Sequence, residues 1–106
     1  MPLAWGIVLW SLTATAAVAA GESVYLQACM ACHGADGAGL MPGVPDLTEP
    51  QGPLNKSDAE LMKNIIGGFQ SPGSDMAMPP KGGNPGLSNE DIEAVIRYMR
   101  EAFGRR

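Results

Sequence analysis

The amino-acid sequence predicts an all-α domain of three to four helices joined by long loops. Three observations point there. Residues 57–66 and 88–103 each open on a helix-start signal and continue with apolar side chains at helical spacing. The alternation expected of strands is nearly absent. Fourteen glycines and nine prolines in 106 residues fall largely between the helical stretches, where they call for shaped loops.

The first segment reads as a leader. No side chain from Pro2 to Gly21 is charged, residues 3–10 are strongly apolar, and residues 11–20 turn small and weakly polar before Glu22. Ala17-Val18-Ala19 and Val18-Ala19-Ala20 offer the small residues a signal peptidase reads. Residues 1–20 are therefore expected to be a signal peptide cleaved at or beside Ala20, leaving one domain over residues 21–106. No Lys or Arg precedes the apolar run, and an uncharged run of roughly 18–20 residues just reaches across a bilayer. An uncleaved anchor is thus the alternative, although Ser, Thr and Ala in its second half make it a poor span.

A first helix is expected from about Glu22 into the cysteines. Gly21, Tyr25 and Cys29 recur every four residues and share one face, where the glycine admits a close neighbour and Tyr25 packs beside Cys29. Residues 34–47 are too rich in Gly and Pro for helix or central strand, and so long a loop in a small domain has something to wrap. Ser57-Asp58-Ala59-Glu60 is a capping box opening a second helix through Leu61, Ile65 and Ile66 to Gly67-Gly68. A second irregular loop covers residues 69–87. Ser88-Asn89-Glu90-Asp91 opens the last helix, with acids where the helix dipole favours them. Its apolar stripe is Ile92, Val95, Ile96, Met99, Ala102 and Phe103. Arg97, Arg100, Arg105 and Arg106 lie towards its favourable pole, and Gly104 ends it.

Chemistry concentrates in Cys29-Met30-Ala31-Cys32-His33, which holds both cysteines and the one histidine of the chain. Two thiols three positions apart, followed at once by an imidazole, suit covalent attachment of a c-type haem: each thiol adds to a vinyl group and the histidine reaches the iron. Competing readings lack support. A structural zinc site needs four ligands and the chain has three Cys or His. A thioredoxin-like site expects alternating strands and helices, and a plain disulfide leaves His33 and both loops unexplained. A domain of roughly 85 residues builds a core of thin margin, which a large apolar prosthetic group would reinforce.

His33 supplies one axial ligand. Its other ring nitrogen needs an acceptor, and the carbonyl of Pro45, where the first loop returns, is the best candidate. With no second histidine, the sixth position is open to methionine, lysine, water or no ligand at all. Met76 and Met78 lie in the second loop, outside any helix core. Met78 is preferred because Pro79-Pro80 stiffens the backbone after it, with Met76 as the alternative. Met62 and Met99 read as core, Met30 lies inside the attachment motif, Met41 suits the haem edge, and Lys81 reads as a surface charge near the rim.

These residues resemble the small bacterial class I c-type cytochromes, which carry one haem. The likeness runs from Gly21 and Tyr25 through Cys29, Cys32 and His33 to Gly43-Val44-Pro45-Asp46-Leu47, Met78-Pro79-Pro80-Lys81-Gly82-Gly83 and Tyr98. It departs from the common pattern where Val44 separates Gly43 from Pro45. The resemblance implies a cytochrome c-like fold around one haem c attached through Cys29 and Cys32. It also implies that Pro45 offers its carbonyl to His33, that Met78 binds the iron, and that the first and last helices cross at Gly21, Tyr25 and Tyr98.

Histidine plus thioether leaves no open position on the iron, so the expected function is periplasmic single-electron transfer rather than catalysis. Expected partners are redox proteins, a dehydrogenase, oxidase or respiratory complex, docking at a small apolar patch formed by Met30, Ala31, Met41 and residues 78–81. A net charge of −4 argues against nucleic acid as a partner. It predicts either weak salt dependence or steering toward a basic partner. A membrane enters only if the leader is retained. Two alternatives remain: a dedicated haem subunit of a periplasmic dehydrogenase or respiratory complex, and a sensor or peroxidase-like enzyme with a labile methionine.

Overall fold

The computed structural model describes Gly6 and residues 12–104, with side chains between 12 and 104 described from Ala19 onward. Residues 1–5 and 7–11 of the expected leader, and the positions of Arg105 and Arg106, lie outside the described residues. In chain order the elements are α1 (Leu12–Ala28), α2 (Met30–His33), α3 (Asp58–Gly67), β1 (Phe69–Gln70), β2 (Ala77–Met78) and α4 (Asn89–Phe103), with short 3-10 turns at Pro53–Asn55 and Pro80–Gly83. The all-α expectation holds.

Helix α1 begins at Leu12 rather than near Glu22. Residues 12–20 are mostly Ala, Thr and Leu with no proline, and alanine has the highest helix propensity of any residue. Among the described residues no helix is long and apolar enough to cross a membrane. Cys29 interrupts the helix for one residue, yet its amide still bonds to the Tyr25 carbonyl at 2.9 Å and its own carbonyl accepts from His33 at 3.0 Å. The attachment motif therefore continues the path of α1.

Capping differs between the later helices. Ser57 Oγ accepts the Glu60 amide at 3.2 Å, but the reciprocal bond from the Ser57 amide to Glu60 is not formed. The complete box belongs to α4, where Ser88 Oγ takes the Asp91 amide at 3.1 Å and the Asp91 carboxylate takes the Ser88 amide at 2.9 Å. An acid at the third helical position can close a box as Glu does. Gly68, at φ +82°, ends α3 in the left-handed region.

Helix α4 packs across α1. A Cβ on Gly21 would overlap the carbonyl of Ala94, so the two backbones touch where the period-four face of α1 predicted a close neighbour. Ala94 is consequently buried, whereas Ala102, expected on the apolar stripe, is exposed. Tyr25, Tyr98 and Phe103 form an aromatic triad with ring centroids 5.3–5.9 Å apart. Around it Leu47, Leu54, Leu61, Leu87, Ile92, Val95, Ile96 and Met99 complete the core, with Met62 packed against it. No charged side chain is buried among the described residues.

Arg100 ties α4 to the other side of the molecule. Its guanidinium donates to the carbonyls of Leu54 and Lys56 at 2.8 and 2.9 Å and to Asp58 at the start of α3 at 2.7 Å. Within the second loop, β1 and β2 pair antiparallel with Phe69 opposite Met78 and Gln70 opposite Ala77. Two-residue strands are too short to leave a period in the sequence.

Candidate haem site

The attachment motif is presented on a short helix whose base is fixed by Tyr25. Tyr25 is fully buried, and its hydroxyl donates to the carbonyl of Gly34, the residue after His33, at 2.5 Å. Burial raises the tyrosine pKa, with the Cys29 thiolate the next cause, so the phenol stays a donor. Cys29 and Cys32 are free thiols and both partly exposed. Burial, and then Cys32 beside it, pushes the Cys29 thiol up to about 11.

His33 is half-buried, and burial lowers its proton affinity while the Pro45 carbonyl acts in the opposite sense. Its Nδ1 is enclosed and makes no hydrogen bond of ordinary geometry. The carbonyl thus lies close enough to favour a proton on the ring but short of a full bond. A neutral imidazole with one nitrogen turned toward a backbone carbonyl is the form that ligates metal through the other.

The first loop folds back on the motif. The amides of Gly39 and Leu40 bond to the carbonyls of His33 and Cys32 at 2.8 and 2.9 Å, and the Leu47 amide bonds to Gly37 at 2.7 Å. Gly37, at φ +77°, lies so close to the Phe103 ring that a side chain there would collide with it. The loop is in this way seated on the aromatic triad, and Pro45 is returned toward His33.

The second loop is pinned at both ends. Gly43 packs against Ser74 and Met76, while Gly82 packs against the backbone of Ala28, the residue before Cys29. Between these pins run Met76, Met78 and the Pro79–Pro80 pair. Ser74 Oγ bonds to both the amide and the carbonyl of Met76, at 3.1 and 3.2 Å. A cleft of about 540 Å³ opens between residues 42–45 and residues 71–76, with Met76 in its wall. Met78 is half-buried in β2 and does not line that cleft. Lys81 is not the plain surface charge expected. It adopts φ +54° and directs its ammonium onto the Leu87 carbonyl at 2.9 Å, closing the segment after Met78 into a compact turn.

Two unpaired thiols, an adjacent half-buried imidazole and two glycine-rich loops converging on the same segment fit a porphyrin bound at Cys29–His33. The residues around it include Leu40 and Met41, which stay exposed. Leu40 escaped notice because a lone apolar residue in a glycine-rich loop carries no period. Met30, expected on an exposed patch, instead packs against the core.

A helical domain built this way around a CxxCH segment is a c-type cytochrome. The chain matches the family described as "Cytochrome C oxidase, cbb3-type, subunit III" over residues 16–99, and it belongs to that cytochrome c family. It is 36% identical over 80 residues to cytochrome c-554(548) of Halomonas halodenitrificans, covering 76% of this chain and 89% of that protein. It is also 36% identical over 75 residues to lupanine 17-hydroxylase [cytochrome c] of Pseudomonas sp, covering 69% of this chain but only 9% of that protein. The structure is similar to cytochrome CL from Methylophaga aminisulfidivorans, with TM-score 0.63 and 29% identity over 83% of this chain and 54% of that one. The cofactor is covalently attached haem c, and the protein is an electron carrier of the small monohaem class I type.

Proposed function

We propose that the protein is a periplasmic single-electron carrier in which His33 and Met78 would hold the iron of haem c. The observation that carries this reading is the pin between Gly82 and Ala28, which brings the segment after Met78 against the residue preceding Cys29. Bound haem c supplies a one-electron ferric/ferrous couple.

The chain's own residues determine what that couple does. Cys29 and Cys32 form the two thioether links. Burial keeps the His33 imidazole neutral and able to ligate, and Pro45 orients its second nitrogen. The Met78 thioether is a weak donor that favours the ferrous state and raises the potential. Two protein ligands leave no position for a substrate, which favours carriage over catalysis. Tyr25 holds Gly34 and so the ring side of His33. Similarity along 89% of cytochrome c-554(548) supports a carrier that works as one domain, exchanging electrons with a dehydrogenase, an oxidase or a respiratory complex.

Met76 is the second reading for the sixth ligand, favoured by its place in the wall of the cleft facing residues 42–45. Replacing each methionine by alanine in the haem-loaded protein decides between them. Met78→Ala removes the absorption band of the sulfur–iron bond if the first reading is right, and Met76→Ala removes it if the second is.

A further inference from the structure

One strip of surface begins beside the attachment cysteines and carries two exposed apolar side chains between two acids. Leu40 is 64% exposed and Met41 39%. The Leu40 amide bonds to the Cys32 carbonyl at 2.9 Å, so the strip starts one hydrogen bond from the haem links. At one end Leu40 and Asp36 converge over Gly34, with Leu40 Cδ2 and Asp36 Oδ1 at 3.3 and 3.2 Å from the position a Cβ there would take. At the other end Pro42 and Gly43 face Asp75 across the cleft. Asp36 and Asp75 are both exposed, and among the described residues neither is in an ion pair.

Among the described residues, cations of and beside these loops are turned toward other groups. Residues 34–47 and 69–87 hold three aspartates and one lysine between them. That lysine, Lys81, spends its ammonium on the Leu87 carbonyl. Lys56 sits over the Phe69 ring at 4.1 Å, and Arg100 is held by Asp58. Those two loops therefore carry three negative charges against the one positive charge that Lys81 keeps, with Asp36 and Asp75 placed on either side of an apolar centre. Charges of one sign ringing a small apolar contact steer an oppositely charged partner and release it quickly.

We propose that this strip, Leu40 and Met41 flanked by Asp36 and Asp75, docks a redox protein whose own docking surface is basic. The inference rests on the electron-carrier reading. In each encounter one electron leaves the donor and one arrives at the acceptor, with no proton or atom transferred. The acids draw the partner in and fix its orientation. The apolar centre excludes water at closest approach.

The test uses the haem-loaded protein on gold electrodes bearing ammonium-terminated or carboxylate-terminated monolayers, with mass uptake and voltammetry read together. Wild type is expected to exchange electrons faster on the ammonium layer, and to lose that advantage as salt rises. Asp36→Asn with Asp75→Asn slows exchange at least about threefold. Glu93→Gln with Glu101→Gln, an equal change of net charge on exposed positions of α4, leaves the rate within about twofold. Leu40→Ser slows exchange without changing mass uptake. Equal behaviour of the two double variants, or faster exchange on the carboxylate layer, overturns the docking surface. A loaded wild type with no reversible wave on either layer overturns the carrier reading itself.

Discussion

The Tyr25 hydroxyl donates to the Gly34 carbonyl at 2.5 Å, so a single bond joins the aromatic core to the residue that follows His33. Because Tyr25 is fully buried, its loss leaves a carbonyl without that donor while the ring contacts with Tyr98 and Phe103 persist. Tyr25→Phe is expected to cost about 1–2 kcal/mol in denaturant unfolding. Tyr25→Ala, which also empties the triad, costs about 3–5 kcal/mol.

Gly21 is expected to resist even the smallest substitution. A methyl group there meets the Ala94 carbonyl and Tyr98, forcing α1 and α4 apart. Gly21→Ala should destabilise by about 1–3 kcal/mol despite alanine's better helix propensity. Gly67→Ala, at a helix position where a Cβ meets nothing, provides the control in a thermal melt.

The turn after Met78 depends on Lys81. Lys81→Leu keeps the chain length but removes the bond to Leu87, and the segment bearing Met78 loosens. With Met78 on the iron, carbon monoxide binding by the ferrous wild type is expected to be low, and it is expected to rise in this variant. Unchanged exclusion of carbon monoxide, with the sulfur–iron band intact, would show that Lys81 does not hold the ligand.

Arg100 serves three acceptors through one planar group, which lysine cannot do. Arg100→Lys is expected to lose about 1–2 kcal/mol in urea unfolding. Asp58→Asn, which spares both carbonyl bonds, costs less than half of that.

Asp46 gives the pH dependence. The side chain and then the amide of Thr48 donate to its carboxylate, at 2.6 and 2.8 Å, and hold its pKa below the ordinary 3.8. A folded pKa below the unfolded one means that the unfolded chain binds the proton more readily. The contribution is complete above 3.8 and disappears as pH falls through the lower folded value. Thr48→Val should move the Asp46 titration, followed by carboxyl NMR, back up toward 3.8.

What could be read in advance was local. The Cys29–His33 pentapeptide states its chemistry within five residues, and Ser57 and Ser88 announce their helices through partners three positions away. Gly21 was legible because Tyr25 and Cys29 repeat at its spacing. By contrast, Arg100 meets Asp58 across 42 residues, and Gly37 meets Phe103 only after the first loop has folded. No period encodes either contact. The start of α1 was hidden for another reason: small alanines serve a peptidase site and a helix equally well. At the site, the Met78 hairpin fell below the length at which alternation can be counted, and the charge inventory did not show that Lys81 turns inward.

The second loop behaves as a strap gripped at two points, with the turn ahead of the first grip left free. The grips are Gly43 against Ser74 and Met76 and Gly82 against Ala28, while at Gly73, on the turn between β1 and β2 and ahead of both grips, an added Cβ meets nothing. That turn is thus a tolerant place to lengthen the chain, since extra residues there need not strain either grip. A peptide tag, a surface anchor or a second redox module grafted at Gly73 would hang from the rim of the cleft shared by Pro45, Asp75 and Met76, and so would bring its cargo to the face where partners meet the carrier.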